Sequence, residues 1–544
     1  MNMKKIAALF LALIMVLSLA ACGKKDDVEV TKEQAPANTE EAVKEQAEQI
    51  LRYGVMQSPG SIDPTNLKDI FSYEMVRQSY NGLTDRTPEG KTIPGLAKSW
   101  EVKDGGKVYH FVLEEGVKFH SGNELKASDV KFTFEYAIDP TRDGGGGSSF
   151  LSGVVGYDDV MDGKTKELAG FKIINDYEFE IEFTEPEIYF PDYASVESLY
   201  IIEQAAVEGK GENWWETMTA GTGPYKLEEF SLDEKTTFVA HEDYFKGKPG
   251  LSRLEFIVVP EEETAMMMYQ NEELDVIGAP WGQLDIIKAD ESLSKELVEY
   301  PIADATYLGM TQSLYEPFKD IRVRQAISLV ISPDDMAEKI MQDTVYPLYG
   351  VIPVGFSVYD KNIKALEYNP EKARELLKEA GYDANNPLPP ITLSYVPMDE
   401  DNAVYIAEQL KQELNWEVKL ESPDFSALLS DLLDRKVPFY IFGSTASYGD
   451  ARSIMYTAFH SEGRRNFSAY SNPNYDKPID EAAKLSSQEE RGKLYLQAEK
   501  ALMDDFACVP MYSSKAYLLV KPYVKDMKIS GLGMDIFDTV NIVK

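Results

Sequence analysis

Residues able to do chemistry are sparse in this chain. Two stretches end like phosphate-binding loops, Glu89-Gly90-Lys91-Thr92 and Asp162-Gly163-Lys164-Thr165. Such a loop needs an earlier glycine so that its backbone can curl round a phosphate, and Asp85 and Asp158 stand at that place instead. His241-Glu242-Asp243-Tyr244-Phe245 starts like a zinc-protease helix, but Phe245 occupies the position of the second histidine. The four histidines, His110, His120, His241 and His460, are scattered. No Gly-x-Ser-x-Gly elbow occurs. The reading is therefore no enzyme, no cofactor and no metal. An active site assembled from distant acidic residues is the alternative that the sequence leaves open.

Cys22 is the exception. Lys4 and Lys5 precede an apolar run from Ile6 to Leu19, broken by Ser18, and small residues lead into the cysteine. That is the layout of a secretory signal, with an apolar stretch too short for an ordinary membrane span. Leu19-Ala20-Ala21-Cys22 resembles a lipobox, in which the cysteine is acylated and the chain is cut just before it. Residues 1–21 are then a signal peptide, Cys22 is the lipidation site, and 22–49 form a tether. More than one acyl chain is needed for stable anchoring, since a buried methylene contributes about 0.8 kcal/mol. Residues 23–48 hold few apolar groups and no aromatic, so they cannot offset the entropy of ordering. As a coil they reach about 30 Å. Only Cys508 remains in the mature chain, which excludes an internal disulfide; it lies in apolar Phe506-Ala507-Cys508-Val509-Pro510-Met511-Tyr512 and reads as core.

The remaining residues, about five hundred of them, exceed one hydrophobic core. Composition is globular, 44% hydrophobic and 11% aromatic. The net charge of −37, from 55 basic against 92 acidic residues, argues against a nucleic-acid or anionic-lipid partner bound through a basic face.

Mixed α and β signals run throughout. Residues 50–56 read as the first strand, 127–138 as a helix, and 171–183 as two strands around Asn175-Asp176. In 369–382, Asn369 is placed to cap, Pro370 suits the first turn, Ala373, Leu376, Leu377 and Ala380 share a face, and Gly381 suits the exit. Strand 391–396, helix 402–414, strand 416–420 and strand 437–443 follow, an order that argues for parallel pairing in an α/β lobe. Asp320 and Ser332 are placed as caps, with Val323, Ala326, Ile327 and Val330 on a core face. Arg322 and Arg324 beside that face read as surface or interlobe partners. Trp214 and Trp215 read as packing, and 143–149, Asp-Gly-Gly-Gly-Gly-Ser-Ser, as a mobile surface loop.

Eight blocks, in order, resemble the family 5 extracellular solute-binding proteins of oligopeptide, dipeptide and nickel importers. They are 62–66 with 80–83, 93–137, 221–227, 317–331, 369–382, 470–482 and 509–512, of which 93–137 is the most characteristic. The resemblance implies an α/β fold of two lobes, the large peptide-binding class of type II periplasmic-binding-protein-like folds. Lobe I would span 50–308 with an inserted subdomain at about 91–220, lobe II 309–512, and 513–544 would return to lobe I. The chain would cross between lobes near 306–312 and 510–515.

The same resemblance implies a monomeric substrate-binding component of an ABC importer, lipid-anchored on the extracytoplasmic face of the cell membrane. It would trap a peptide or other small molecule for separate permease and ATPase subunits. Peptide-binding members carry a tryptophan and an amine-binding aspartate where Ser444 and Ser447 stand here; the nearest acid is Asp450. Thr311 replaces the family's usual hinge asparagine. Candidate ligand-binding residues are Trp281, Ser444, Thr445, Ala446, Ser447, Tyr448, Asp450 and Tyr512. Asp450 has a second reading, as the cap of a helix starting at Ala451-Arg452. The ligand is a peptide on the first reading. A non-peptide such as an oligosaccharide or metal chelate is the second, and a surface sensor or enzyme on this fold the third.

Overall fold

The computed structural model describes residues 49–544, apart from 68, 143–145, 218–219, 364–365 and 533–534. The signal peptide, Cys22 and the tether to residue 48 lie outside the described residues.

The fold is built on one continuous sheet with two parts. In the first part, Ile50–Val55 runs parallel to Arg253–Val258 and to Val276–Gly278. Lys235–Ala240 and Tyr225–Ser231 extend it antiparallel. In the second part, Ile391–Ser394 lies parallel to both Val418–Glu421 and Phe439–Thr445, as the alternation of strands and helices predicts. Asp304–Met310 pairs antiparallel with Phe439–Thr445.

One 13-residue strand, Cys508–Val520, belongs to both parts. Its start pairs with Asp304–Met310, through Gly309 with Cys508 and Thr306 with Tyr512. Its end pairs with Leu297–Pro301 and Val276–Gly278. Two backbone segments, Asp304–Met310 and this strand, thus lie side by side where the two parts of the sheet join. Cys508 is buried in it, and burial pushes its thiol pKa up.

A separate four-stranded antiparallel sheet, in the order Ala97–Lys103, Val108–Leu113, Glu178–Glu182, Phe171–Asn175, packs on the helix Ala127–Ala137. Its core is aromatic: Phe111 stacks on Phe179 at 5.4 Å, Phe179 on Phe171 at 4.8 Å, and Phe190 meets Phe183 at 4.9 Å. Aromatic pairs at such distances add stability beyond the area they bury.

The sequence punctuation holds in this lobe structure. Asn369 Oδ1 accepts from Lys372 N at 2.9 Å, Ala373, Leu376 and Leu377 are buried, and Gly381 takes φ +96°. Asp320 caps through Arg322 N and Ser332 through Asp335 N. Arg324 departs from its reading as a surface or interlobe residue. It is 5% exposed and donates to Phe318 O, Asp505 O and Phe506 O. The helix Gln488–Asp504 ends there, and its last carbonyls need donors that the planar guanidinium supplies. Trp214 is buried and donates to Asp63 Oδ2. The histidine of the zinc-protease-like stretch is not on a helix; His241 and His120 meet edge to face at 5.0 Å beside Gly223 O.

Candidate functional site

A cavity of about 520 Å³ opens where the aromatic subdomain meets the second lobe. The subdomain supplies Ser149, Phe150, Gly153, Glu187 and Tyr193. The second lobe supplies the end of the strand Phe439–Thr445, the loop that follows it, the helix Arg452–Phe459 and the Arg464-Arg465 turn beyond. A second cavity of about 400 Å³ adjoins it and shares Ser149, Phe150 and Ser447. Both volumes lie within the range that small-molecule sites occupy.

Four of the eight candidates, Ser444, Thr445, Ser447 and Tyr448, line the larger cavity, and Ala446 lines the smaller. Along the strand end burial alternates: Ser444 is buried, whereas Thr445 is exposed. Tyr448 reaches across, packs into the aromatic subdomain and meets Tyr193 edge-on at 5.1 Å. Behind it, Gly449 touches Gly90; a Cβ on Gly449 would lie 2.0 Å from Gly90 O. Only glycine permits that approach.

Asp450 is placed differently from its reading as the amine-binding acid. It is 1% exposed and absent from the cavity wall. Oδ1 accepts from Arg452 N at 3.0 Å, the capping contact, and Oδ2 lies 2.8 Å from the Arg491 guanidinium. Its charge is already spent within the protein. Tyr512 also points elsewhere, donating to Asp399 Oδ1 at 2.9 Å. Trp281 is 55% exposed and rests edge-on against Tyr517, away from both cavities. Thr311 is buried, and its hydroxyl donates to Val437 O.

The sequence reading missed Glu187, Arg452, Ser453, Arg464 and Arg465 in the cavity wall. Of the stretch 143–149, read as a mobile surface loop, residues 143–145 lie outside the described residues. Residues Gly146–Leu151 form a short 3₁₀ helix that carries Ser149 and Phe150 to the cavity, and Gly147 packs against Ser198 O. Arg452 lies over the rings of Tyr456 and Tyr189 at 4.1 and 4.6 Å. Burial pushes the Glu187 carboxyl pKa up, opposed by the charge of Arg452. The adjacent pair Arg464-Arg465, in so acidic a chain, was the one available sequence signal.

Known proteins agree with this architecture. The chain is 28% identical over 482 residues to the periplasmic oligopeptide-binding protein OppA of Salmonella typhimurium, covering 85% of this chain and 87% of that one. It is 27% identical over 503 residues to the probable deoxycholate-binding periplasmic protein YgiS of Escherichia coli, covering 90% and 92%. The solved structure of the periplasmic murein tripeptide-binding protein MppA, in an unliganded open form, superposes with a TM-score of 0.83 at 23% identity, over 92% of this chain and 98% of that one. The fold is therefore the two-lobed, type II binding-protein fold. The model of the bacterial extracellular solute-binding proteins, family 5 Middle, matches residues 91–466, and the chain belongs to that family.

Proposed function

We propose that this protein is the substrate-binding component of an ABC importer and captures peptides between its lobes. The observation that carries the reading is the cavity pair at the meeting of the subdomain and the second lobe, lined by the 444–448 loop, in a family 5 chain. Lobe I is taken as residues 50–308 with the subdomain at about 91–220, lobe II as 309–512, and 513–544 as the return. The shared strand Cys508–Val520 supports a passage near 510–515, and a hinge there needs only a few residues to move. OppA is named for oligopeptides and MppA for a murein tripeptide, which favours a peptide ligand. The protein binds and releases its solute unchanged, acts as a monomer, and hands the solute to separate permease and ATPase subunits. Cys22 carries the lipid that holds it on the extracytoplasmic face of the membrane, where tethering raises its local concentration at the importer.

One observation favours a second reading, a non-peptide solute in the same trap: the loop's acid, Asp450, is held by Arg491. Mass spectrometry of solute retained on the purified protein tests both. Retained peptides support the first; a retained non-peptide, with no peptide bound from a mixed pool, replaces it with the second.

A further inference from the structure

We infer that the solute is gripped by an anionic group, a carboxylate, held on Arg452, Arg464 and Arg465, and that its amine is dispensable. This rests on the reading of the larger cavity as the solute site.

Charge is the first observation. The cavity is lined by three arginines against one glutamate, in a chain with 92 acidic and 55 basic residues. Among the described residues none of the three arginines forms an ion pair within 4.0 Å, although most other arginines do. Arg464 and Arg465 are exposed at the cavity wall, and Arg452 is fixed between two tyrosine rings. Glu187 faces Arg452 and offsets part of that charge, leaving the pair at 464 and 465 uncompensated.

Unmet hydrogen bonding is the second and is independent of charge. Arg452 Nε and Ser453 Oγ are buried polar atoms with no partner among the described residues, and the Ser444 hydroxyl has only the Tyr307 hydroxyl beside it. Ser444 is 6% and Ser453 8% exposed, and all three residues line this cavity. Buried polar groups in folded proteins are nearly always satisfied, so two orphans on one wall mark a place for an acceptor that arrives from outside. An N–H and two hydroxyl donors beside guanidinium groups suit a carboxylate, which only accepts.

The third is the fate of the acids. An ammonium entering this cavity would find Asp450 sequestered and Glu187 opposite Arg452. It would meet cations instead.

The test uses the purified full-length protein and three mixed-sequence tripeptide pools, free, N-acetylated and C-amidated, with deoxycholate as a carboxylate that is not a peptide. Binding is read by calorimetry. The expected result is that the acetylated pool binds within threefold of the free pool and the amidated pool at least tenfold more weakly. Arg464→Ala with Arg465→Ala, exposed positions whose loss leaves no buried charge unpaired, should weaken the free pool tenfold and leave the amidated pool unchanged. Equal binding of free and amidated pools, loss on acetylation alone, or indifference to the double substitution overturns the inference. If the peptides fail but deoxycholate binds and needs the arginines, the peptide reading falls and the inference stands. If no carboxylate binds, the inference falls.

Discussion

The Arg491 guanidinium lies 3.3 Å from the Asp192 carboxylate, joining positions 299 residues apart in the chain. The same guanidinium is 2.8 Å from Asp450, and all three groups are buried. Burial and the charge of Asp450 push the Asp192 pKa up, so the two acids depend on the arginine between them. Tyr189 and Tyr495 hydrogen-bond at 3.0 Å beside this cluster. The subdomain is thereby fastened to the second lobe through charge as well as packing.

Arg491→Met should lower the unfolding free energy by about 3–5 kcal/mol, because it strands two buried carboxylates. Asp450→Asn should cost about 3 kcal/mol in urea titration. The cap survives, since an amide oxygen still accepts from Arg452 N, but Arg491 loses its nearer partner. Solute affinity of Asp450→Asn should stay within threefold. A tenfold loss of affinity without loss of stability would return Asp450 to the solute site.

Glu499 gives a pH signature. It is 2% exposed; Oε1 accepts from Val351 N and Ile352 N at 2.7 and 2.9 Å, and Oε2 has no partner among the described residues. Burial pushes its pKa up to about 7. A raised acid stabilises the fold fully below its unfolded value, and that stability is lost as pH rises through the folded one. The loss from pH 4.5 to 8 should be about 3 kcal/mol from this group. Glu499→Gln keeps both acceptor contacts without the charge. Its stability at pH 8 should exceed wild type and vary less across that range; equal pH curves for the two proteins would refute this.

Gly449→Ala should separate the lobes locally, because a Cβ 2.0 Å from Gly90 O cannot be accommodated. Solute binding should weaken at least tenfold, and small-angle scattering should give a larger radius of gyration. Normal affinity with an unchanged radius would show that the Gly90 turn yields instead.

Trp281→Ala should leave solute affinity unchanged within twofold, as the ring rests on Tyr517 outside both cavities. A tenfold loss would place the solute against that tryptophan.

Cys22→Ser should release the protein from the membrane or leave it uncleaved. Normal trimming with full retention in the membrane fraction would rule out lipid anchoring at this residue.

Local signals in the sequence were reliable where neighbours along the chain decide the outcome. Asn369, Asp320 and Ser332 cap because their oxygens reach amides two or three residues on. The parallel strands at Ile391–Ser394 and Val418–Glu421 follow from the helix between them. Of the two tyrosines matched to pocket-facing positions, Tyr448 lies on the cavity wall and Tyr512 does not. The role of Arg324 was not legible, because the carbonyls that bury it lie about 180 residues away.

The sequence by itself determined the family, the order of elements and one segment of the cavity wall, 444–448. The tertiary structure decided what each charge is for. Asp450 reads equally as a solute acid or a cap until Arg491 is brought to 2.8 Å. Arg452, Arg464 and Arg465 share no spacing in the sequence that would join them, and only folding sets them round one cavity with Ser444 and Ser453. Charge and hydrogen-bond acceptance act through space over a few ångströms, so their partners follow from the fold and not from spacing along the chain.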